Sequence, residues 1–306
     1  MKFHDHLVIA GCGLAAALGP LSADPSPGVG PVPDKIAIRH KLDRDFYKKH
    51  ADAGGIPVLS SEKVRDEALL EVRHLVLRLL VGRDDIRTAM AEKGIRIGVM
   101  AHNEFTTSMP ETRGMNRWWD KRARGLGGNP VTCAEENVLN FEGDPYVGEN
   151  IFIHEFAHAI HHTGLRAVDE GFDARLRALF EKTKKTGRFS GYCMQNFGEF
   201  WAEGVQSWFD CNRREIVHTR DDGTRQFVRT RAELEAHLPE FATLLREVFG
   251  DNPWRYTTTG RRIGEAHLAG FDRRKAPVFS WPEEVLEAFA AEEARRNATQ
   301  DKKRRQ

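Results

Sequence analysis

Hydrophobic residues recur at helical spacing in some segments of the chain and alternate or cluster in others. Between residues 62 and 81, apolar side chains fall three or four positions apart, which predicts a long amphipathic helix. A second helix is predicted near residues 84–93, and short strands are predicted at residues 56–59 and 95–100. This β-α-α-β order predicts a sheet that is covered by helices.

Residues 151–160 predict a different kind of helix, because its apolar positions surround it almost completely. The segment contains the pattern H-E-x-x-H. Residues four apart share one helix face, so His154 and His158 can offer two imidazole nitrogens to one metal ion. Glu155 lies beside them, within reach of a water at an open coordination position. The pattern has only three fixed residues and occurs by chance, but polar groups in a buried helix require partners.

A third metal ligand is not supplied by the histidine pattern of the metzincins. Their motif continues to a third histidine at the position that Gly164 occupies in this chain, so that family is excluded. His161 lies on the ligand face seven residues after His154, and we interpret it as a core or supporting residue. His162 is predicted to point elsewhere. A glutamate from another helix is the better candidate for the third ligand.

Residues 192–209 predict a second strongly apolar helix, with Glu199 and Glu203 four residues apart on one face. Two interpretations of Glu199 are open. It is either a metal ligand or the third residue of a capping box whose N-cap is Asn196. A capping box does not explain Glu203, which could accept a hydrogen bond from the second nitrogen of a metal-bound histidine.

The two apolar segments together resemble a known group of zinc metallopeptidases. The run from Tyr192 to Glu203 reads Y-x-x-x-N-x-x-E-F-W-A-E and follows H-E-F-x-H at His154. This order of motifs is similar to the catalytic domain of the anthrax lethal factor group of zincins. The match covers about residues 132–210, a quarter of the chain, and nothing outside it resembles the other domains of that toxin.

The resemblance implies a gluzincin-type metallopeptidase with an α+β zincin-like fold. A small mixed sheet would place its edge strand beside the H-E-x-x-H helix, and a second helix would carry the glutamate ligand. Glu155 would be the general base, and Tyr192 would stabilise the oxyanion or assist the leaving amine. Glu203 and Asn196 would support the ligands without contacting the metal themselves. The implied Zn²⁺ ligands are His154, His158 and Glu199.

The predicted edge strand beside the cleft covers residues 132–141. A peptide could add to such a strand through backbone hydrogen bonds. Glu135 and Glu136 would then flank the cleft, or they form a solvated acidic pair on the surface. Residues 103–130 lack periodicity and predict a long covering loop. The remaining predicted elements are a helix near 169–185, a hairpin over 215–228, and helices near 231–249 and 282–296.

The N-terminus differs from the rest of the chain. An apolar run over residues 7–18 is too short to span a bilayer, and together with Lys2 it predicts a signal peptide over residues 1–23 and therefore secretion. A lipoprotein anchor at Cys12 is the second choice, and no membrane span is expected. The further predicted divisions are a linker or N-terminal extension at 24–55, a catalytic domain at 56–290 and a charged tail at 291–306.

Composition narrows the function further. The 306 residues carry a net charge of +1, and no basic stripe or zinc ribbon indicates a nucleic-acid partner. Cys193 and Cys211 flank a helix too long for them to pair, so any disulfide would involve Cys133, and free buried thiols are equally compatible. The sequence thus predicts a secreted zinc metallopeptidase acting on a peptide or protein. A catalytically inactive zinc-stabilised binding module and a zinc hydrolase of non-peptide amides are the alternatives.

Overall fold

The computed structural model describes residues 28–213 and 216–304. The predicted signal peptide at 1–23, the first residues of the segment 24–55, and Cys12 lie outside the described residues. The strands are β1 (Gly30–Pro31), β2 (Lys49–Ala53), β3 (Ile56–Ser60), β4 (Ile97–Met100), β5 (Val131–Ala134), β6 (Phe189–Ser190), β7 (Val217–Thr219) and β8 (Arg225–Phe227). The helices are α1 (Asp34–His40), α2 (Asp66–Leu79), α3 (Asp84–Glu92), α4 (Trp118–Arg122), α5 (Glu135–Val138), α6 (Ile151–Ala159), α7 (Arg166–Val168), α8 (Phe172–Lys185), α9 (Phe197–Trp208), α10 (Arg231–His237), α11 (Pro239–Phe249) and α12 (Glu283–Arg304).

A five-stranded mixed sheet with the order β1-β2-β3-β4-β5 forms the centre of the fold. β3, β4 and β5 run parallel, β2 pairs antiparallel with β3, and β1 pairs antiparallel with β2. Every residue of the three parallel strands is buried, as expected for parallel strands that other elements cover on both faces. The prediction of an α+β architecture with a mixed sheet is confirmed.

The described part of the segment predicted as a linker or N-terminal extension, residues 28–55, contains α1 and contributes β1 and β2 to this sheet. β2 and β3 form a hairpin that places Ala51 opposite Val58. Its two-residue turn is Gly54–Gly55, with φ angles of 65° and 94°. Such a turn requires positive φ at both positions, which glycine adopts without steric cost. The boundary predicted at residue 56 therefore falls between the two strands of a hairpin.

The long loop predicted at 103–130 contains α4 and ends in a short extended segment, residues 123–127, which we call the arm. Leu126 pairs antiparallel with Thr132 of β5, with N···O distances of 2.9 and 3.3 Å. The arm thus covers the free edge of β5. The edge strand predicted over 132–141 is wrong in extent, because the strand ends at Ala134 and α5 follows directly.

Glu135 and Glu136 neither flank a cleft nor face solvent, so both expectations for this pair are wrong. Their relative exposures are 1% and 0%. Glu136 forms a two-pronged ion pair with the fully buried Arg124, at 2.6 and 3.0 Å. Glu135 accepts hydrogen bonds from the backbone N–H groups of Arg65 and His102, both at 3.0 Å. The pair fastens the arm and the start of α2 to the sheet.

α9 is buried along nearly its whole length, as its apolar sequence predicts, and it packs closely against α6. The indole Nε1 of Trp201 donates to the carbonyl of Ala157 on α6 at 2.8 Å. On the other side, the ring of Phe241 stacks on Phe200 with centroids 4.1 Å apart. A Cβ atom at Gly204 would stand 2.1 Å from the Phe241 ring, so glycine is needed for this close packing. These contacts fix α9 between α6 and α11.

The C-terminal part departs from the predicted pattern at two places. The helix predicted at 231–249 is divided at Pro239 into α10 and α11, since proline cannot continue a helix from the preceding turn. The last helix extends far beyond residue 296, and part of the predicted charged tail packs on α4. There the indole of Trp118 stacks on Phe289 and donates to Glu293 at 2.6 Å.

The structure also shows the state of the cysteines and the character of the helices. Cys133, Cys193 and Cys211 are buried, and no disulfide joins any two of them. No helix over residues 28–213 or 216–304 combines the length and the apolar surface that a bilayer crossing requires.

Replacing Glu136 by glutamine should destabilise the fold strongly, because it leaves the Arg124 guanidinium buried without a counter-charge. We expect a loss of about 3–5 kcal/mol in the free energy of unfolding, measured by urea denaturation. The matched control is Glu240→Gln, which breaks an exposed ion pair with Lys182 and should cost less than about 1 kcal/mol. Equal effects of the two substitutions would contradict the importance of the buried pair.

Candidate metal centre

Two asparagine caps position the helices that carry the predicted site. The side chain of Asn150 accepts from the N–H of Ile153 at 3.1 Å and begins α6. The side chain of Asn196 accepts from the N–H groups of Gly198 and Glu199, at 2.9 and 3.0 Å, and begins α9. Asn196 is therefore a helix cap, as one interpretation proposed. It acts on the ligand helix through the backbone and sets the direction in which Glu199 leaves α9.

The side chain of Glu199 reaches the histidines of α6 across the interface between the two helices. The distances are 3.1 Å from Glu199 Oε2 to His154 Nε2, 3.4 Å to His158 Nε2, and 3.3 Å between the two Nε2 atoms. Tetrahedral zinc with bonds of about 2.0–2.1 Å holds its ligand atoms roughly 3.3 Å apart. The three atoms thus have the spacing and the donor chemistry of a site that could hold a divalent metal ion.

The other ring nitrogen of His154, Nδ1, has polar partners on α9. Nδ1 lies 3.0 Å from Oε1 of Gln206 and 3.5 Å from Oε1 of Glu203. The Gln206 amide nitrogen donates to the carbonyl of Asn150 at 3.1 Å, which directs its oxygen toward the histidine. An amide oxygen only accepts, so His154 keeps a proton on Nδ1 even when its ring is neutral, and Nε2 faces the site.

Gln206 is the site residue that sequence reasoning missed. It follows Glu199 by seven positions and Glu203 by three, so it shares their helix face. That spacing was the available signal. Glu203, which the resemblance implied as a supporting residue, contacts His154 and also accepts from Asn212 at 2.7 Å.

Glu155 and Tyr192 line a cleft of about 470 Å³ together with the three candidate ligands. The arm forms the opposite wall. A Cβ atom at Gly127 would stand 2.9 Å from His158 Cβ and 3.0 Å from Glu155 Oε2, so only glycine allows the arm this close to α6. The backbone N–H of Gly127 lies near the Glu155 carboxylate and acts to lower its pKa. The cleft is therefore narrow on the side of the H-E-x-x-H helix.

Burial and mutual charge control the protonation of the site. Burial raises the pKa of Glu155, although the neighbouring histidines oppose this. Burial would also raise the pKa of Glu199, but the hydrogen bonds from His154 and His158 lower it to about 2. Burial disfavours a charged His154, yet the hydrogen bond to Glu199 and the surrounding carboxylates raise its pKa to about 10. Without metal, His154 and Glu199 thus form an ion pair at neutral pH.

Of the two histidines that follow the motif, His161 is a buried core residue, as interpreted from the sequence, whereas the prediction that His162 points elsewhere is wrong. His161 is fully buried, and its Nε2 lies 2.7 Å from Asp173 on α8. His162 lines the cleft, with its ring 6.2 Å from that of His158. The reason is a π-helical turn at Ile160–Leu165. Its wider winding brings the fourth residue after His158, and not the third, over the ligand face.

No protein-family model, no curated protein and no solved structure matches this chain. The similarity to the lethal factor group therefore rests on the quoted motifs alone.

The affinity of the site for zinc should increase as the pH rises. Since the pKa of His154 is raised to about 10, a zinc ion at neutral pH must displace a proton from its Nε2. We expect the apparent affinity to rise about tenfold per pH unit between roughly pH 6 and 9. Competition with a chromophoric chelator measures this, and titration calorimetry in two buffers counts the released protons. A pH-independent affinity would contradict the ion pair.

Replacing Gln206 by methionine should weaken zinc binding by about 10- to 100-fold, because His154 loses the acceptor that orients its ring. The matched control is Ser207→Ala. Ser207 is also buried on α9, but its hydroxyl donates to the carbonyl of Val228, away from the histidines. Chelator competition on both variants tests this. The same zinc affinity in Gln206→Met and wild type would show that Gln206 does not support the site.

Proposed function

We propose that this protein is a zinc-dependent metallopeptidase of the gluzincin type, exported through the signal peptide predicted at residues 1–23. The observation that carries the proposal is the convergence of His154, His158 and Glu199 within 3.4 Å of one another. A structural metal site would need only these ligands. The adjacent carboxylate of Glu155 and the cleft beside it favour a catalytic centre.

His154, His158 and Glu199 would hold Zn²⁺, which when bound would polarise the scissile carbonyl and make water more acidic. Glu155 would take the proton of the attacking water and then pass it to the leaving amine. The burial that raises the pKa of Glu155 suits this exchange, because a carboxylate of higher pKa is a stronger base. The N–H of Gly127 would keep the carboxylate pointing into the cleft.

Tyr192 would donate a hydrogen bond to the oxyanion that develops on the attacked carbonyl. It stands just before α9 and lines the cleft, with its ring 6.2 Å from that of His154. Burial and the charge of Glu199 raise the pKa of its phenol, so the donor stays protonated at neutral pH. The Arg122 guanidinium beside it acts in the opposite direction and adds positive charge to the same wall.

The arm would bind the substrate backbone. Leu126 uses its backbone groups to pair with Thr132, whereas successive residues of an extended strand direct theirs to opposite sides. Gly125 and Gly127, which both line the cleft, would therefore turn their backbone groups toward it. A peptide could add here as a further strand, with its scissile bond carried past Glu155. This recognition would not depend on side chains, so a peptide or protein is the proposed substrate.

The test is mass-spectrometric detection of cleavage in a complex peptide library by the zinc-loaded protein. Glu155→Gln should retain zinc and reduce turnover by at least about 100-fold, because the general base is lost. Glu170→Gln, at an exposed position beyond α7, is the matched control and should cleave like wild type. Cleavage that survives in Glu155→Gln would refute the mechanism. The absence of cleavage by zinc-loaded wild type would favour a binding module or a hydrolase of other amides.

Replacing Tyr192 by phenylalanine should lower kcat by about 100-fold or more while KM and zinc content stay close to wild type. The phenol hydroxyl is expected to act in the transition state, so substrate binding should change little. Steady-state kinetics on a peptide selected from the library measures this. An unchanged kcat would exclude the role of Tyr192.

A further inference from the structure

A second group of metal-ligating side chains lies where α2 meets the segment that joins α11 to α12. His74 comes from α2, and Glu265 and His267 come from the joining segment, residues 250–282. Each of the three offers a ligand atom, and these atoms all lie within 4.8 Å of one another. None of the three lines the cleft of the first centre. The helix α2 and a segment distant from it in sequence thus bring two imidazoles and a carboxylate together.

His267 is held in the manner of a metal ligand. Its Nε2 lies 2.7 Å from Oε2 of Glu71, a fully buried carboxylate one turn before His74 on α2. Its other nitrogen, Nδ1, lies 3.6 Å from Oε2 of Glu265. Metal-bound histidines usually donate their second N–H to a carboxylate, which fixes the ring and increases its basicity. Glu71 does this for His267 and leaves Nδ1 to face the group.

The Nε2 atom of His74 is buried and has no hydrogen-bond partner among the described residues. It lies 3.7 Å from Oε2 of Glu265, which is too far for a hydrogen bond. Leaving a buried polar atom without a partner costs about 1–3 kcal/mol, and such atoms call for an explanation. A metal ion beside Glu265 would supply the missing partner.

The two rings now stack face to face, with centroids 4.2 Å apart and planes inclined by 16°. One ion can bind both nitrogens only if one ring turns. His74 is the ring that can turn about its Cβ–Cγ bond, because no hydrogen bond holds its Nε2 and that torsion is soft. Tetrahedral spacing then requires the 3.6 and 3.7 Å separations to contract by a few tenths of an ångström and the ligand atoms of the two histidines, now within 4.8 Å, to approach to about 3.3 Å.

Charged side chains of both signs surround this position. Arg262 forms a two-pronged ion pair with Glu71 and also lies 3.2 Å from Oε2 of Glu265. Two carboxylates therefore face the Arg262 guanidinium, and Arg78 is a further positive charge near His74. Glu265 is 37% exposed at its side chain, so an ion and a completing water can reach the group from solvent.

We propose that His74, Glu265 and His267 form a second metal site, which takes a divalent transition-metal ion of the zinc type. Imidazole nitrogens with one carboxylate suit zinc, whereas magnesium and calcium prefer oxygen ligands only. The site would tie the joining segment to α2. That segment holds only three short 3₁₀ turns over residues 250–282, and so long an irregular connection needs fixed points. This inference does not depend on the proposed peptidase activity.

The test counts zinc in protein whose first centre has been removed by His154→Ala and His158→Ala. After equilibrium dialysis against micromolar zinc, elemental analysis should find one zinc per chain. The further change His74→Gln or His267→Gln should remove it. The matched control is His102→Gln, because His102 also lies against a buried carboxylate, Glu135, and should leave the count unchanged. In otherwise wild-type protein, His74→Gln should lower the count from two to one.

A second measurement, of Co²⁺ binding, applies if the histidine variants of the second site fail to fold. Glu265→Gln keeps the shape of a partly exposed side chain, and it should weaken Co²⁺ binding to the His154→Ala, His158→Ala protein by at least about tenfold. The visible absorption of the bound Co²⁺ reports both affinity and tetrahedral coordination. Folded protein without the first centre that binds no zinc would overturn the proposal. An equal zinc count with and without His74→Gln would overturn it as well.

Discussion

The need to satisfy polar side chains inside an apolar helix pair shapes the rest of this structure. α6 and α9 are buried because their sequences are apolar on almost every side, yet they carry histidines and glutamates on the faces that meet. These groups can be buried only if they satisfy one another or share an ion. The side chains of His154, His158 and Glu199 lie 3.1–3.4 Å apart, so they can form hydrogen bonds with one another. The same spacing would also allow them to share a metal ion.

The surroundings of the helix pair serve the same geometry. Asn150 and Asn196 begin the two helices at the depths from which their ligands can meet, and Gln206 ties the cap of α6 to the ring of His154. The arm closes the cleft from the other side and is anchored by the buried pair of Arg124 and Glu136. The helix caps, the packing of α6 against α9, and the ion pair of Arg124 with Glu136 thus all help to fix the geometry of the same site.

The sequence predicts the parts of this arrangement that depend on local pattern. Apolar periodicity identifies α2, α6 and α9, and the four-residue spacing on a helix face identifies His154 with His158. Whether Glu199 completes a capping box or binds a metal depends on where its side chain points. The presence of Asn196 at the cap position does not alone determine that direction. In the structure, Asn196 caps the helix and Glu199 reaches the histidines.

The parts that local pattern did not predict depend on contacts between distant segments. Glu135 and Glu136 resemble a solvated pair in sequence, because their partners Arg65, His102 and Arg124 come from other elements. The arm lacks periodicity, since its position is determined by pairing with β5 and by contact of its glycines with α6. The group of His74, Glu265 and His267 joins residues almost 200 positions apart, so no sequence window contains it.

The central claim is that His154, His158 and Glu199 bind one zinc ion. The most direct measurement is a crystal structure of the zinc-loaded protein with anomalous diffraction data collected on both sides of the zinc absorption edge. We predict an anomalous peak about 2.0–2.1 Å from Nε2 of each histidine and from a carboxylate oxygen of Glu199. The claim would be contradicted by zinc-loaded crystals without a peak there, in which Glu199 keeps its direct hydrogen bonds to the histidines.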